Sequence, residues 1–214
     1  MLNVRIFTFN PFEENTYVLY NEQNLCCIID PGCYFPVERD VLKTFLEKTG
    51  LKPIFRRKTQ GQIDHVFGNK FIHDTWGLPL HIHEKEKPVL DQAPAFGSEW
   101  DMSFENYEGP LIFLKERETI KLGNDELEIR FVPGHSPGSV CFYNEEGGFV
   151  IAGDVLFNGS IGRTDLPGGD FDTLINSIQT QLFTLPDEIK VYSGHGPMTT
   201  IGFEKMNNPF VKLY

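Results

Sequence analysis

Residues 131–154 read Phe131-Val132-Pro133-Gly134-His135-Ser136-Pro137-Gly138-Ser139-Val140-Cys141-Phe142-Tyr143-Asn144-Glu145-Glu146-Gly147-Gly148-Phe149-Val150-Ile151-Ala152-Gly153-Asp154. Three short apolar runs lie in this stretch. One halts at Gly134-His135, one turns at Gly147-Gly148, and one halts at Gly153-Asp154. Runs of β-branched and aromatic residues bounded by Gly and Pro signal strands. The spacing therefore predicts strands over residues 126–132, 139–143 and 149–151. It also sets a His and an Asp, each beside Gly, where strands stop. Strand ends that deliver polar side chains to one edge are a common way to build a site. Glycine beside such a residue lets the backbone turn sharply and come close to what the side chain holds.

The same arrangement recurs on either side. Val191-Tyr192 runs into Gly194-His195-Gly196, and Ile54-Phe55 precedes, more distantly, Asp64-His65. His offers neutral nitrogen and Asp hard oxygen, a mixed set that suits Zn²⁺, Fe²⁺ or Mn²⁺. A single His in such a place is more often an ordinary hydrogen-bonded residue. Four clusters in one chain argue for a shared site.

Further out, strands are predicted over residues 4–9, 16–20 and 25–29, the last stopped by Asp30-Pro31-Gly32. Apolar positions Val37, Val41, Leu42, Phe45 and Leu46 follow a period near 3.6 and predict a helix over residues 36–48, ended by Gly50. A strand over 53–59, a helix over 66–75 and a strand over 78–83 follow. Residues 91–110 read as irregular and aromatic, with Phe96, Trp100, Phe104 and Tyr107. A helix over 171–183, a strand over 189–192 and a short terminal helix complete the chain. Strands with helices, twice over, predict an α/β fold. The expected form is a four-layer αββα sandwich in a single domain over residues 1–214.

The chain has 214 residues and a formal net charge of −11. That charge argues against nucleic acid as a partner. No stretch approaches the run of about 18 apolar residues of a membrane helix, and Met1-Leu2-Asn3-Val4-Arg5 lacks a signal core. A cytoplasmic protein with no membrane partner is expected. Cys26, Cys27, Cys33 and Cys141 lack CxxC spacing and read as reduced, partly buried thiols.

The order and context of the clusters resemble the metallo-β-lactamase superfamily. The branch most similar is that of short, single-domain proteins like hydroxyacylglutathione hydrolase (glyoxalase II). Asn10-Pro11-Phe12 through Asn15-Thr16-Tyr17, Ile29-Asp30-Pro31-Gly32, Gly162-Arg163-Thr164-Asp165 and Gly194-His195-Gly196-Pro197 all fit. The chain ends soon after Gly202, so the helical extension of full-length glyoxalase II is not expected.

One segment departs from the family. Its first motif, T-H-x-H-x-D-H, here reads Thr59-Gln60-Gly61-Gln62-Ile63-Asp64-His65. The resemblance implies a first metal position that keeps only His135 and the bridging Asp154. It implies a second position that is complete in Asp64, His65, Asp154 and His195. The expected cofactor is one ion at that second position, zinc first, with iron or manganese as alternatives. Asp64 is also expected to position the attacking water. The implied activity is thioester hydrolysis of a small-molecule substrate by metal-bound hydroxide, slowed by the missing histidines. A non-catalytic ligand-binding relative is the alternative, and an iron enzyme similar to persulfide dioxygenases ranks last, because Gln60 removes one of its ligands.

Three further features are weighed. Arg56-Arg57-Lys58 puts cations where a buried strand should be apolar, so a strand end that is exposed, or a segment that is locally rebuilt or disordered, is expected. His81-Ile82-His83 is a second HxH, read as packing or surface histidines, as is His73. The aromatic stretch 96–107 lines a pocket, anchors a long loop, or forms a homodimer contact.

Overall fold

The computed structural model describes residues 1–211. The chain divides into two compact units: residues 1–114 with 121–125, and residues 115–120 with those from 126 onward.

The first unit contains β1 (Asn3–Phe9), β2 (Glu14–Tyr20), β3 (Leu25–Ile29), α1 (Pro36–Thr49), β4 (Lys52–Arg57), α2 (Ile63–Val66), α3 (Asn69–Trp76), β5 (Leu80–His83), α4 (Lys87–Glu99) and β6 (Leu111–Leu114). Its sheet runs in chain order, β1-β2-β3-β4-β5-β6. The first three strands pair antiparallel and β3 through β6 pair parallel. Parallel neighbours need a crossover, and α1, α2 with α3, and α4 supply them.

Helix α1 starts at Pro36, a favoured first helical residue. The Glu38 carboxylate accepts from the backbone N–H groups of Asn10, Tyr34 and Phe35 at 2.7, 2.8 and 2.9 Å. Its buried face, Leu42 and Leu46, packs with Phe7, Val18, Ile28 and Ile72.

Two helical expectations are corrected. Residues 66–75 do not form one helix, because the chain breaks between α2 and α3 at Gly68. Gly68 donates its N–H to the Pro31 carbonyl at 2.8 Å, and a Cβ there would press on Cys33 Sγ and that same carbonyl. Residues 91–110 are not wholly irregular either. Their first part belongs to α4, whose Leu90, Ala93 and Gly97 are buried at helical spacing. Pro94 lies inside it, a residue type that usually breaks a helix. The unmatched Leu90 carbonyl instead accepts from Asn106 Nδ2 at 2.9 Å.

Two residues of the aromatic stretch act as anchors, while Trp100 stays exposed. Phe104 packs edge-on against Phe67 at 5.1 Å, and the Tyr107 ring is buried beside His73.

The second unit contains β7 (Thr119–Leu122, which runs across the boundary), β8 (Asp125–Phe131), β9 (Val140–Asn144), β10 (Phe149–Gly153), β11 (Leu156–Phe157), β12 (Ser160–Ile161), α5 (Phe171–Ser177), β13 (Lys190–Ser193), β14 (Thr199–Thr200) and α6 (Ile201–Asn207). The sheet order is β14-β13-β10-β9-β8-β7, with β11 and β12 as a separate hairpin. All residues of β9 and β10 are buried, as expected of strands covered on both faces. The helix expected over 171–183 is α5 continued by one wide π-helical turn, Ile178–Leu182. Leu174, Ile178 and Leu182 join Val150, Ala152 and Val191 in this unit's core. Among the described residues, no helix is long and apolar enough to cross a membrane.

Candidate metal centre

In the first unit the site residues follow β4. Asp30 stands at the end of the neighbouring β3 with φ 48°, and its carboxylate organises the segment. It accepts from the Thr59 N–H at 2.8 Å and from the Thr59 hydroxyl. It also meets His65 Nδ1 at 3.1 Å. Both Asp30 oxygens already act as acceptors toward Thr59, so Nδ1 carries the hydrogen and Nε2 presents its lone pair. Asp64 Oδ2 lies 3.7 Å from that Nε2, and Gln60 Nε2 lies 2.8 Å from it.

The backbone of Asp64 is pinned by two motifs noted in the sequence. Asn10, at φ 54°, donates from Nδ2 to the carbonyls of Gly32 and Asp64, both at 3.0 Å. A Cβ on Gly32 would strike the Glu14 carboxylate and the Asp64 carbonyl, so the turn after Asp30-Pro31 requires glycine. These supporting roles of Asn10, Glu14, Asp30 and Thr59 went unread in the sequence. A non-glycine residue with positive φ leaves no local signal, and the partners are distant along the chain.

The expectation for the basic run is corrected. Arg56, Arg57 and Lys58 are all buried. Arg56 donates to the Asn69 carbonyl and lies 4.2 Å over the Tyr107 ring, while Arg57 lies 4.5 Å over Phe55. Burial still lowers the Arg56 pKa to about 10. Lys58 points at the acids, with Nζ 4.0 Å from Asp30 Oδ1. Burial lowers its pKa to about 8, while Asp30 and Glu14 oppose the shift. Burial likewise pushes the Glu14 carboxyl well above its usual range, with His65 the largest opposing influence. Ligand atoms of Glu14, Asp30 and His65 lie within 4.8 Å of one another. Yet Lys58 already supplies a cation there, and Asp30 is committed to Thr59.

In the second unit Asp154 follows β10 and His195 follows β13, its parallel neighbour, so one sheet edge carries both. His135 Nδ1 donates to the Arg163 carbonyl at 2.8 Å, which leaves Nε2 as the acceptor. Nε2 of His135 and Nε2 of His195 each lie 3.6 Å from Asp154 Oδ2. Arg163 thus acts through its carbonyl, while its side chain pairs with Asp165 at 2.7 Å in solvent.

The spacing can be tested against a metal. Two ligands about 2.1 Å from one ion at the tetrahedral angle lie about 3.4 Å apart. The separations of 3.6, 3.6 and 3.7 Å within the two units are close to that. The donor set and the lone pairs fit a divalent ion, except that Gln60 engages His65 Nε2.

The remaining histidines are committed elsewhere. His81 is buried, its Nδ1 donates to the Arg56 carbonyl at 3.1 Å, and burial lowers its pKa to about 4. His83 Nδ1 accepts from the Lys85 N–H at 3.3 Å, and His73 Nδ1 donates to the Leu78 carbonyl at 3.2 Å.

The profile of the metallo-beta-lactamase superfamily matches residues 61–195. The chain belongs to this superfamily. A probable metallo-hydrolase, YqgX of Bacillus subtilis (strain 168), is 38% identical over 94% of this chain and 93% of that protein. The hydroxyacylglutathione hydrolase GloC of Haemophilus influenzae is 34% identical over 98% of each. A crystal structure of TTHA1623 in a di-iron-bound form superposes with a TM-score of 0.88 at 35% identity, covering 97% of this chain and all 100% of that one. The metallo-β-lactamase fold implied by the family resemblance is thereby established. So is membership of a superfamily of metal-dependent hydrolases.

Proposed function

We propose that this chain is a metal-dependent hydrolase of the glyoxalase II-like branch that cleaves a thioester. In this proposal one ion is held by Asp64, His65, Asp154 and His195, as the family pattern assigns them. The position that His135 would share with the two replaced histidines is weak, because Gln60 and Gln62 bring neutral amides in place of imidazoles. The observation that carries the proposal is the fixed direction of the ligand nitrogens. Asp30 orients His65 with Nε2 on the Asp64 side, and His195 Nε2 stands 3.6 Å from Asp154 Oδ2. Zinc is the proposed ion, with iron as the alternative that the di-iron relative suggests.

A bound ion would lower the pKa of water and polarise the acyl oxygen. The chain's own groups do the rest. Asp64 accepts a hydrogen bond from the attacking water and orients it. Asp30 holds the His65 ring through Nδ1 and stops it turning. The small-molecule substrate meets a site edge framed by glycine turns.

The test is metal content by mass spectrometry together with thioester turnover, for this chain and for Gln60→His/Gln62→His. The expected result is one ion per chain with slow turnover, and a second ion in the double variant. A second ion that stabilises the transition state by a few kcal/mol corresponds to roughly a hundredfold faster turnover. Two tightly held ions and fast turnover in the unaltered chain would overturn the half-site proposal. Absence of metal from both forms would overturn the hydrolase proposal. Gln60 against His65 favours the non-catalytic relative as a second reading, selected if both forms bind metal and neither turns over.

A further inference from the structure

Gln60 is a buried part of the fold. It is 1% exposed, and the backbone is tied down on both sides of it. Thr59 gives its N–H and hydroxyl to Asp30, and Gly61 gives its N–H to Glu86 Oε2 at 2.7 Å. From this fixed backbone the Gln60 side chain reaches the His65 ring, Nε2 to Nε2, at 2.8 Å. The other side of the ring sets the direction of that bond. Asp30 accepts from Nδ1, so the neutral imidazole has its hydrogen there and its lone pair at Nε2. The Gln60 amide nitrogen donates to this lone pair. The opposite amide orientation would set a carbonyl oxygen against it.

We propose that Gln60 caps His65: its amide occupies the imidazole lone pair that a metal ion needs, so ion binding at Asp64 and His65 competes with a hydrogen bond inside the protein. The proposal rests on His65 being a metal ligand, as argued above, and changes what the Gln60 substitution means. Loss of a ligand would weaken the position His135 serves. A cap on His65 weakens the other position too, the one that the family pattern leaves complete. The two effects make opposite predictions for a residue that neither donates nor ligates.

Gln60→Leu is that residue: similar in size, with no hydrogen-bonding group. Zn²⁺ is titrated calorimetrically into metal-free samples of the unaltered chain, Gln60→Leu and Gln62→Leu. Removing the cap should raise Zn²⁺ affinity roughly three- to tenfold, the range of one net hydrogen bond. Gln62→Leu should not raise it. Nitrogen-15 NMR of the imidazoles in the metal-free, unaltered chain gives a second readout that needs no variant. His65 should show a protonated Nδ1 and an accepting Nε2, and in Gln60→Leu the Nε2 resonance should move toward that of an unbonded lone pair.

Equal or weaker Zn²⁺ binding by a folded Gln60→Leu overturns the cap and leaves the hydrolase proposal standing. A hydrogen on Nε2 of His65 also overturns the cap, even if the variant fails to fold. Failure of every form to bind Zn²⁺, Gln60→His/Gln62→His included, overturns both proposals together.

Discussion

Lys58 carries an ammonium into a place with no solvent, 4.0 Å from Asp30 and near Glu14. Burial disfavours the charged amine, and the acids only partly offset it, so the folded-state pKa falls to about 8 from 10.5. The sign of the pH effect follows. Between those two values the unfolded chain binds more proton than the folded one, so stability rises with pH. The contribution is fully present above the unfolded value and is lost as pH falls through about 8. Denaturant melts from pH 7 to pH 11 on the unaltered chain and on Lys58→Met should therefore diverge. Subtracting one curve from the other removes the shared titration of thiols and tyrosines. The difference should show a slope of up to about 1.4 kcal/mol per pH unit within that window. Parallel curves would mean that Lys58 keeps its ordinary pKa in the folded protein, its charge solvated or fully offset by the acids. The sequence could signal that three cations in a strand are abnormal. It could not show that Asp30 and Glu14, from β3 and β2, or Tyr107, beyond α4, would meet them, because those contacts exist only after the sheet has formed.

Helix α4 shows how an element can hide from its own sequence. Pro94 has no N–H and so leaves the Leu90 carbonyl without its helical donor. Asn106 fills that role with its side-chain amide at 2.9 Å, from a segment that has already left the helix. Local punctuation marks a break at Pro94 and Gly97. The burial of Leu90, Ala93 and Gly97 instead keeps the helix intact, since packing outweighs propensity when an apolar face is covered. Asn106→Ala should destabilise the protein by about 1 kcal/mol by leaving that carbonyl unmatched. Pro94→Ala restores the donor, so in its background Asn106→Ala should cost much less. Chemical denaturation of the four forms gives the coupling energy directly. Additive effects would show that the amide and the proline do not share one carbonyl. By contrast, α1 was legible because its apolar period, its proline start and its glycine stop all lie within its own residues.

Across the whole chain, legibility followed the range of the interactions involved. The strand ends at His135, Asp154 and His195 were visible because glycine turns and apolar runs are local, and their family context fixed the fold. The network around Asp30 was not visible, because it joins Asp30, itself at positive φ, to Thr59 and His65 far along the chain. The cysteines test the same distinction at the level of the molecule. Their spacing predicted reduced thiols, and Cys26, Cys27, Cys33 and Cys141 are all buried with no disulfide among them. Burial pushes the thiols of Cys27 and Cys33 up to about 12 and that of Cys26 higher still. Disulfide exchange requires the thiolate and access to it. Both are denied in the folded state, so the native protein should react negligibly with Ellman's reagent at pH 8. After unfolding in guanidinium all four thiols should titrate, and the melting temperature should be the same with and without reductant. The rate at which thiols appear under mild denaturant then reports opening of the structure, since Cys26, Cys27 and Cys33 lie in the first unit and Cys141 in the second. Prompt labelling of Cys26, Cys27 or Cys33 in the native protein would show that the sheet opens readily around β3, and the buried Asp30 network that orients His65 would have to open with it.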